Sequence, residues 1–168
     1  INIFYPAISK EEDEKIVIGE NPIFIGNKFK KNPMIAPGKF PLIIFIHGSG
    51  GNNTSMSYLA AELASRGIIV VAANHLSETK GDSPAETISV KPWIQNEDVS
   101  FLLDKILADS NFNENILPDS IGVIGYSKGA YTALALAGGE LKMDKYADYC
   151  SSNPNMPDFV FYHEDVLK

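Results

Sequence analysis

Apolar residues gather in short unbroken runs divided by glycine- and proline-rich punctuation, a pattern that predicts buried strands alternating with amphipathic helices. Leu42 to Ile46 and Ile68 to Ala73 are apolar at every position. A run with no polar side predicts a strand covered on both faces, the mark of a parallel sheet. Asp119-Ser120 opens a third such run, Ile121 to Ile124. Residues 1–5 alternate and stop at Pro6, as a strand would. After the solvated acidic stretch Lys10 to Lys15, Ile16 to Ile18 and Ile23 to Ile25 predict two short strands around Asn21-Pro22. Pro33, Pro37-Gly38 and Pro41 then punctuate a loop.

Helical spacing fills the intervals. Tyr58, Leu59 and Leu63, with Ala60, Ala61 and Ala64, form one apolar stripe that ends at Gly67. A second helix, about Trp93 to Ala108, carries Ile94, Val99, Phe101, Leu102, Leu103, Ile106 and Leu107 on roughly one side and Glu97, Asp98, Asp104 and Lys105 on a polar face, where Glu97 and Asp98 are expected to meet solvent. An Ala- and Leu-rich helix follows Gly129 through about Ala137. Three strand–loop–helix units in order predict an α/β fold: a doubly wound, mostly parallel sheet in three layers, helices on both faces, with right-handed crossovers. No linker or repeat divides the chain, so residues 1–168 read as a single domain. The polar loop from Asn74 to Val90 is long enough to line a site.

Charge removes some partners. Fourteen basic against twenty-one acidic residues give a net charge of −7, the wrong sign for a footprint on nucleic acid or anionic lipid. The apolar runs fall far short of the roughly 20 residues a membrane helix needs, so no span is expected. One cysteine, Cys150, excludes an internal disulfide and reads as a half-buried apolar residue. Three histidines at no ligand spacing predict no metal.

Chemistry concentrates at two turns. Gly125-Tyr126-Ser127-Lys128-Gly129, between a buried strand and a helix, matches the strained turn that projects a serine above the carboxyl edge of a sheet. A packing turn of small residues would share the spacing, but it would not require the strand before, the helix after and a second glycine-rich turn upstream. That second turn, His47-Gly48-Ser49-Gly50, follows the first buried strand. Its Ser49 N–H and the Lys128 N–H are candidate donors to an oxyanion, with Ser127 as nucleophile. His47 lies poorly for taking a proton from Ser127 and reads as a structural imidazole. Tyr126 and Tyr131 could shape a pocket, although aromatics beside a buried turn more often belong to the core. Trp93 reads as a packing residue at a helix start.

Phe40 to Gly51, Ala61 to His75, Asp98 to Asp104 and Ile121 to Ala137, with Phe4-Tyr5-Pro6 and Pro22-Ile23-Phe24, resemble an α/β-hydrolase of the dienelactone-hydrolase-like branch akin to platelet-activating-factor acetylhydrolases. The resemblance implies Ser127 as nucleophile, Ser49 and Lys128 as oxyanion donors, and the loop around His75 as a wall of the acyl pocket. It also exposes a departure. In that fold the acid and the histidine follow the serine on loops after further strands, yet the 41 residues after Ser127 hold no buried β run. The C-terminal strands are expected to be missing, with the acid and base encoded beyond Lys168 or lying on a separate chain. Within the chain the alternative base is His163, paired with Asp158 or Asp165.

Two functions follow. One is a serine hydrolase that cleaves a small-molecule carboxylic ester through an acyl-enzyme on Ser127, with no cofactor, because backbone dipoles supply the charge stabilisation. The other is a non-catalytic fragment or ligand-binding module that lacks the acid and histidine. Missing strands would leave a raw sheet edge, so self-association or a partner chain is expected to cover it. The chain starts at Ile1 rather than Met, so something is expected to have been removed; the compartment stays open, with a slight lean to export.

Overall fold

The computed structural model describes residues 1–75, 94–140 and 142–153. Trp93, Asp158, His163, Asp165, the loop from residue 76 to 90 and the Cys150 side chain lie outside the described residues. In chain order the elements are β1 (Asn2–Phe4), β2 (Ala7–Ile8), β3 (Lys15–Glu20), β4 (Ile25–Lys30), β5 (Met34–Ile35), β6 (Phe40–Ile46), α1 (Ser57–Ser65), β7 (Ile69–Ala72), α2 (Ile94–Ala108), a 3-10 turn at Asn113–Asn115, β8 (Ile116–Gly125), α3 (Lys128–Leu136) and α4 (Met143–Ser152). No helix among the described residues is long and apolar enough to cross a membrane.

The three unbroken apolar runs are the three parallel strands of one sheet, in the order β1-β7-β6-β8, with β1 antiparallel at one side. Having no polar face, β6 and β7 need cover on both sides, and they receive it. On one face Leu42, Ile44, Ile46, Ile69 and Val71 pack against Val99, Leu102 and Ile106 of α2 and Ala133 of α3. On the other, Phe45, Val70 and Ala72 pack against Ala60 and Ala64 of α1. The result is three layers. Each fully buried aliphatic side chain of β6 and β7 contributes roughly 1.5–3 kcal/mol relative to leaving it exposed.

This topology creates a crevice. The chain leaves the carboxyl end of β6 towards α1 on one face and leaves the neighbouring β8 towards α3 on the other. Adjacent strands whose connections part in opposite directions leave a gap between their loops, where α/β proteins hold ligands. The helix stop at Gly67 is as the pattern predicts. With φ +86 Gly67 turns the chain back, donating to the Ala64 carbonyl while Ile68 N–H donates to that of Leu63.

Several elements differ from the expectation. The second strand of the early pair begins at Ile25 and runs to Lys30, and the Ile23 and Phe24 N–H groups instead close a turn on Asn21 Oδ1 at 2.9 and 3.1 Å. Its polar Asn27, Lys28 and Lys30 hide it from hydropathy. Ile18 of β3 and Phe29 of β4 reach the α1-side core, where the Phe29 ring meets Phe4 at 5.0 Å. The punctuated loop contains β5, paired with β2. The last strand starts at Ile116, five residues before the expected Ile121, because the chain bulges between the Phe40↔Ile116 and Leu42↔Ile121 pairs and Pro118 sits in that bulge. Among the described residues β8 is an edge strand.

Candidate active site

Tyr126 N–H donates to the Ile46 carbonyl at 3.1 Å, carrying the β6–β8 ladder one step beyond the Ile46↔Gly125 pair. The chain then reverses. Ser127 has φ 54 and ψ −121, a conformation that only a surrounding structure can enforce on a residue with a side chain. The neighbouring glycines explain the enforcement. A Cβ on Gly125 would lie 2.0 Å from the Gly129 carbonyl oxygen, and one on Gly129 would lie 2.2 Å from the Ile46 carbonyl oxygen. The turn therefore packs backbone directly on backbone.

Ser127 occupies the N-cap position of α3, and an N-cap serine ordinarily turns its hydroxyl onto the helix amides. Here it makes no capping bond. Ala130 N–H is satisfied by the Ser127 carbonyl at 2.9 Å, and Gly129 N–H by that of Tyr126 at 2.9 Å. The side chain is left exposed at the positive end of the helix.

Beside it runs the turn from Gly48 to Gly51. Gly51 N–H donates to the Gly48 carbonyl at 3.0 Å, and Gly50 takes φ +71 at the third position, the left-handed conformation that such a turn asks of glycine. Gly48 touches the serine: a Cβ there would lie 2.8 Å from Ser127 Cβ and 3.4 Å from Ser127 Oγ. Residues 79 positions apart in sequence, Gly48 and Ser127, thus form one surface. Asn74 Oδ1 accepts the Asn53 N–H at 2.8 Å and holds the following loop.

A cleft of about 400 Å³ opens at this point, with Ser49, Phe24, Met56, Tyr58 and Tyr126 in its walls. Tyr126 is 65% exposed and belongs to the cleft rather than to a core. Phe24, Met56 and Tyr58 were not among the candidate site residues read from the sequence, where Tyr58 was expected on the apolar stripe of the first helix. Phe24 comes from the β3–β4 hairpin tip and reaches the site only through the tertiary fold. A larger cavity of about 620 Å³ lies between β1, the β3–β4 hairpin and α1, and none of the residues around Ser127 lines it.

His75 is 2% exposed, its ring packs against His47 at 5.0 Å and its Nδ1 meets Asp98 Oδ2 at 3.1 Å, while the rest of the loop expected to wall the pocket lies outside the described residues. Asp98 accordingly does not simply face solvent: it is half-buried and bonded to that histidine, whereas Glu97 is exposed. His47 is buried, with Nδ1 2.8 Å from the Gly48 carbonyl and Nε2 3.3 Å from the His75 N–H. Among the described residues no group of three or more His, Cys, Asp or Glu side chains is placed to hold a metal ion.

A mostly parallel sheet with helices on both faces, carrying a serine on a strained strand-to-helix turn at its carboxyl edge, defines an α/β-hydrolase. Comparison with known proteins narrows the class. The chlorophyllase family model matches residues 28–150, and the chain belongs to that family. It is 38% identical to a platelet-activating factor acetylhydrolase of Cavia porcellus over 69 residues, covering 38% of this chain and 16% of that protein. The acetylhydrolase of Canis lupus familiaris is 30% identical over 146 residues, covering 61% of this chain and 33% of the relative. Among solved structures, a ferulic acid esterase from Streptomyces cinnamoneus superposes with a TM-score of 0.62 at 22% identity, over 82% of this chain and 47% of that one, a likeness of fold. The chain spans a third or less of these curated relatives and about half of the esterase.

Proposed function

We propose that this chain carries the nucleophile and oxyanion machinery of a serine hydrolase that cleaves small-molecule carboxylic esters through an acyl-enzyme. The observation that carries the reading is Ser127 itself: a strained residue at a helix N-terminus whose hydroxyl makes no cap. Enforced strain at an exposed serine beside a glycine turn has a use in acyl transfer, where the hydroxyl must meet a carbonyl carbon while amides face the oxygen. Ser127 Oγ attacks the ester carbonyl. The Ser49 and Lys128 N–H groups hold the resulting oxyanion, the alcohol departs, and water releases the acid. Removing one such donor costs on the order of 3 kcal/mol in related chemistry. Relatives named as acetylhydrolases support ester chemistry.

The described histidines are committed elsewhere, His47 to Gly48 and His75 and His75 to Asp98. The reading therefore takes its proton acceptor from a histidine outside the described residues. The edge strand β8 and the exposed Leu134 of α3 support a further element of the proposal, a strand or partner chain laid along that side.

A fluorophosphonate probe tests the reading. The expected result is one covalent adduct mapped to Ser127, with ester turnover falling to background in Ser127→Ala. Full esterase activity in that variant would end the proposal.

A further inference from the structure

The proposed catalytic steps leave His47, His75 and Asp98 unused, a buried or half-buried group of titratable side chains that lie together. Their bonds form one connected path that ends on the oxyanion turn. The Gly48 oxygen is a carbonyl and can only accept, so His47 Nδ1, 2.8 Å away, must carry the proton. Its Nε2 faces the His75 backbone N–H at 3.3 Å and must therefore present its lone pair. Both contacts require the same neutral Nδ1–H tautomer of His47. His75 is held in turn from its other end, by Asp98 Oδ2 at 3.1 Å from its ring. Asp98 lies on α2, one turn after Gln95, which accepts the Thr132 hydroxyl of α3 at 2.8 Å. The same helix thus braces both turns of the site.

The consequence lies in the Gly48–Ser49 peptide. Its carbonyl accepts two bonds, from His47 Nδ1–H and from Gly51 N–H at 3.0 Å. The described chain contains no cis peptide, so the Ser49 N–H points opposite to that carbonyl. Fixing the oxygen fixes the amide. We propose that His47, braced by His75 and Asp98, is a positioning residue for the oxyanion: its Nδ1–H sets the plane of the Gly48–Ser49 peptide and so aims the Ser49 N–H. The proposal rests on the ester-hydrolase reading. It assigns His47 no proton transfer with substrate.

Asparagine and glutamine separate the two halves of the imidazole, because an Asn amide nitrogen reaches the Nδ1 position and a Gln amide reaches only the Nε2 position. Loss of an oxyanion donor lowers kcat by roughly 10²–10³-fold, and a misaimed donor loses part of that. His47→Gln is therefore expected to lower kcat by about 10- to 100-fold with little change in KM. His47→Asn is expected to recover at least about tenfold of it, and Asp98→Ala to lower kcat a few-fold. The three would be measured on a p-nitrophenyl ester, with thermal melts alongside. Equal kcat for the Asn and Gln variants, or an effect confined to KM, would overturn the proposal.

Imidazole ¹⁵N shifts of the unsubstituted protein give a second readout that needs no variant to fold. They should place the His47 proton on Nδ1, and a proton on Nε2 would overturn the assignment. If Ser127→Ala turns over ester like the parent, it is the esterase reading that falls, and with it the role assigned to the Ser49 amide. If Ser127→Ala is inactive while His47→Gln keeps full kcat, the esterase reading stands and the positioning role falls.

Discussion

Gly129→Ala separates steric necessity at the turn from simple helix preference. Gly129 is the second residue of α3, where alanine would ordinarily favour the helix by up to about 1 kcal/mol. A methyl at this position, however, would lie 2.2 Å from the Ile46 carbonyl oxygen, 2.8 Å from its carbon and 2.9 Å from the His47 carbonyl oxygen. All three are backbone atoms at the end of β6, so no side chain can swing aside. To restore ordinary contact α3 must retreat from the strand by about 1.2 Å. Overpacking of this kind costs about 1–3 kcal/mol, and with a rigid partner the upper end applies, leaving a net loss of about 2 kcal/mol. The functional effect is larger, because the retreat carries Ser127 away from Gly48, and a misplacement of about 1 Å costs on the order of 100-fold in rate. Urea unfolding followed by circular dichroism and hydrolysis of a p-nitrophenyl ester would measure both. Gly122→Ala is the control: Gly122 lies exposed in β8, its added methyl would meet nothing within 4 Å, and its φ is not left-handed. It should gain about 0.4–1 kcal/mol through the unfolded state. A Gly129→Ala protein with the parent's unfolding midpoint and rate would refute the backbone-on-backbone account of the turn.

Two further outcomes follow from buried polar groups. Tyr5 donates its hydroxyl to the Pro33 carbonyl at 2.8 Å, and burial raises its phenol above the ordinary 10.0. The neutral form is thus favoured in the folded state, so its stabilisation is complete below the unfolded value and is lost as pH climbs through the raised one. Tyr5→Phe should cost about 1 kcal/mol at neutral pH and flatten the loss above pH 10, as urea midpoints at the two conditions would record. Gln95 is fully buried with its Nε2 unbonded among the described residues, and Thr132 supplies its Oε1. Thr132→Val should therefore destabilise by about 1–3 kcal/mol, and adding Gln95→Leu should restore most of it; a double variant no better than the single one would contradict this.

The parallel strands and both glycine turns were legible in the sequence because each is a local signal. The apolar runs of β6 and β7, buried on both faces, need no partner to be recognised, the half-buried run of β8 is marked by the glycine turn that follows it, and Gly125 and Gly129 announce close contact before it is known what they touch. β4 was obscure for the opposite reason: Asn27, Lys28 and Lys30 carry no apolar alternation, and only pairing with β3 makes that segment a strand. The length of β8 was hidden by Pro118, which reads as a stop until the bulge opposite Pro41 is seen. At the site, hydropathy placed Asp98 on a polar helix face but could not supply the partner that gives it a role, His75, which comes from the end of another strand. Phe24 entered the cleft the same way, from a hairpin tip more than a hundred positions before the serine.

The pairing of β6 with β8 also dictates when the site comes into being. β1, β6 and β7 with α1 all lie within the first 75 residues, so the glycine turn after β6 can take shape while the serine is still being synthesised. The elbow joins only when Gly125 finds Ile46, closing a loop of roughly 80 residues, among the slower events a chain of this size undergoes. Reactivity should therefore be the last property regained on refolding, trailing the helical signal. A probe that labels Ser127 then doubles as a clock for the final docking step.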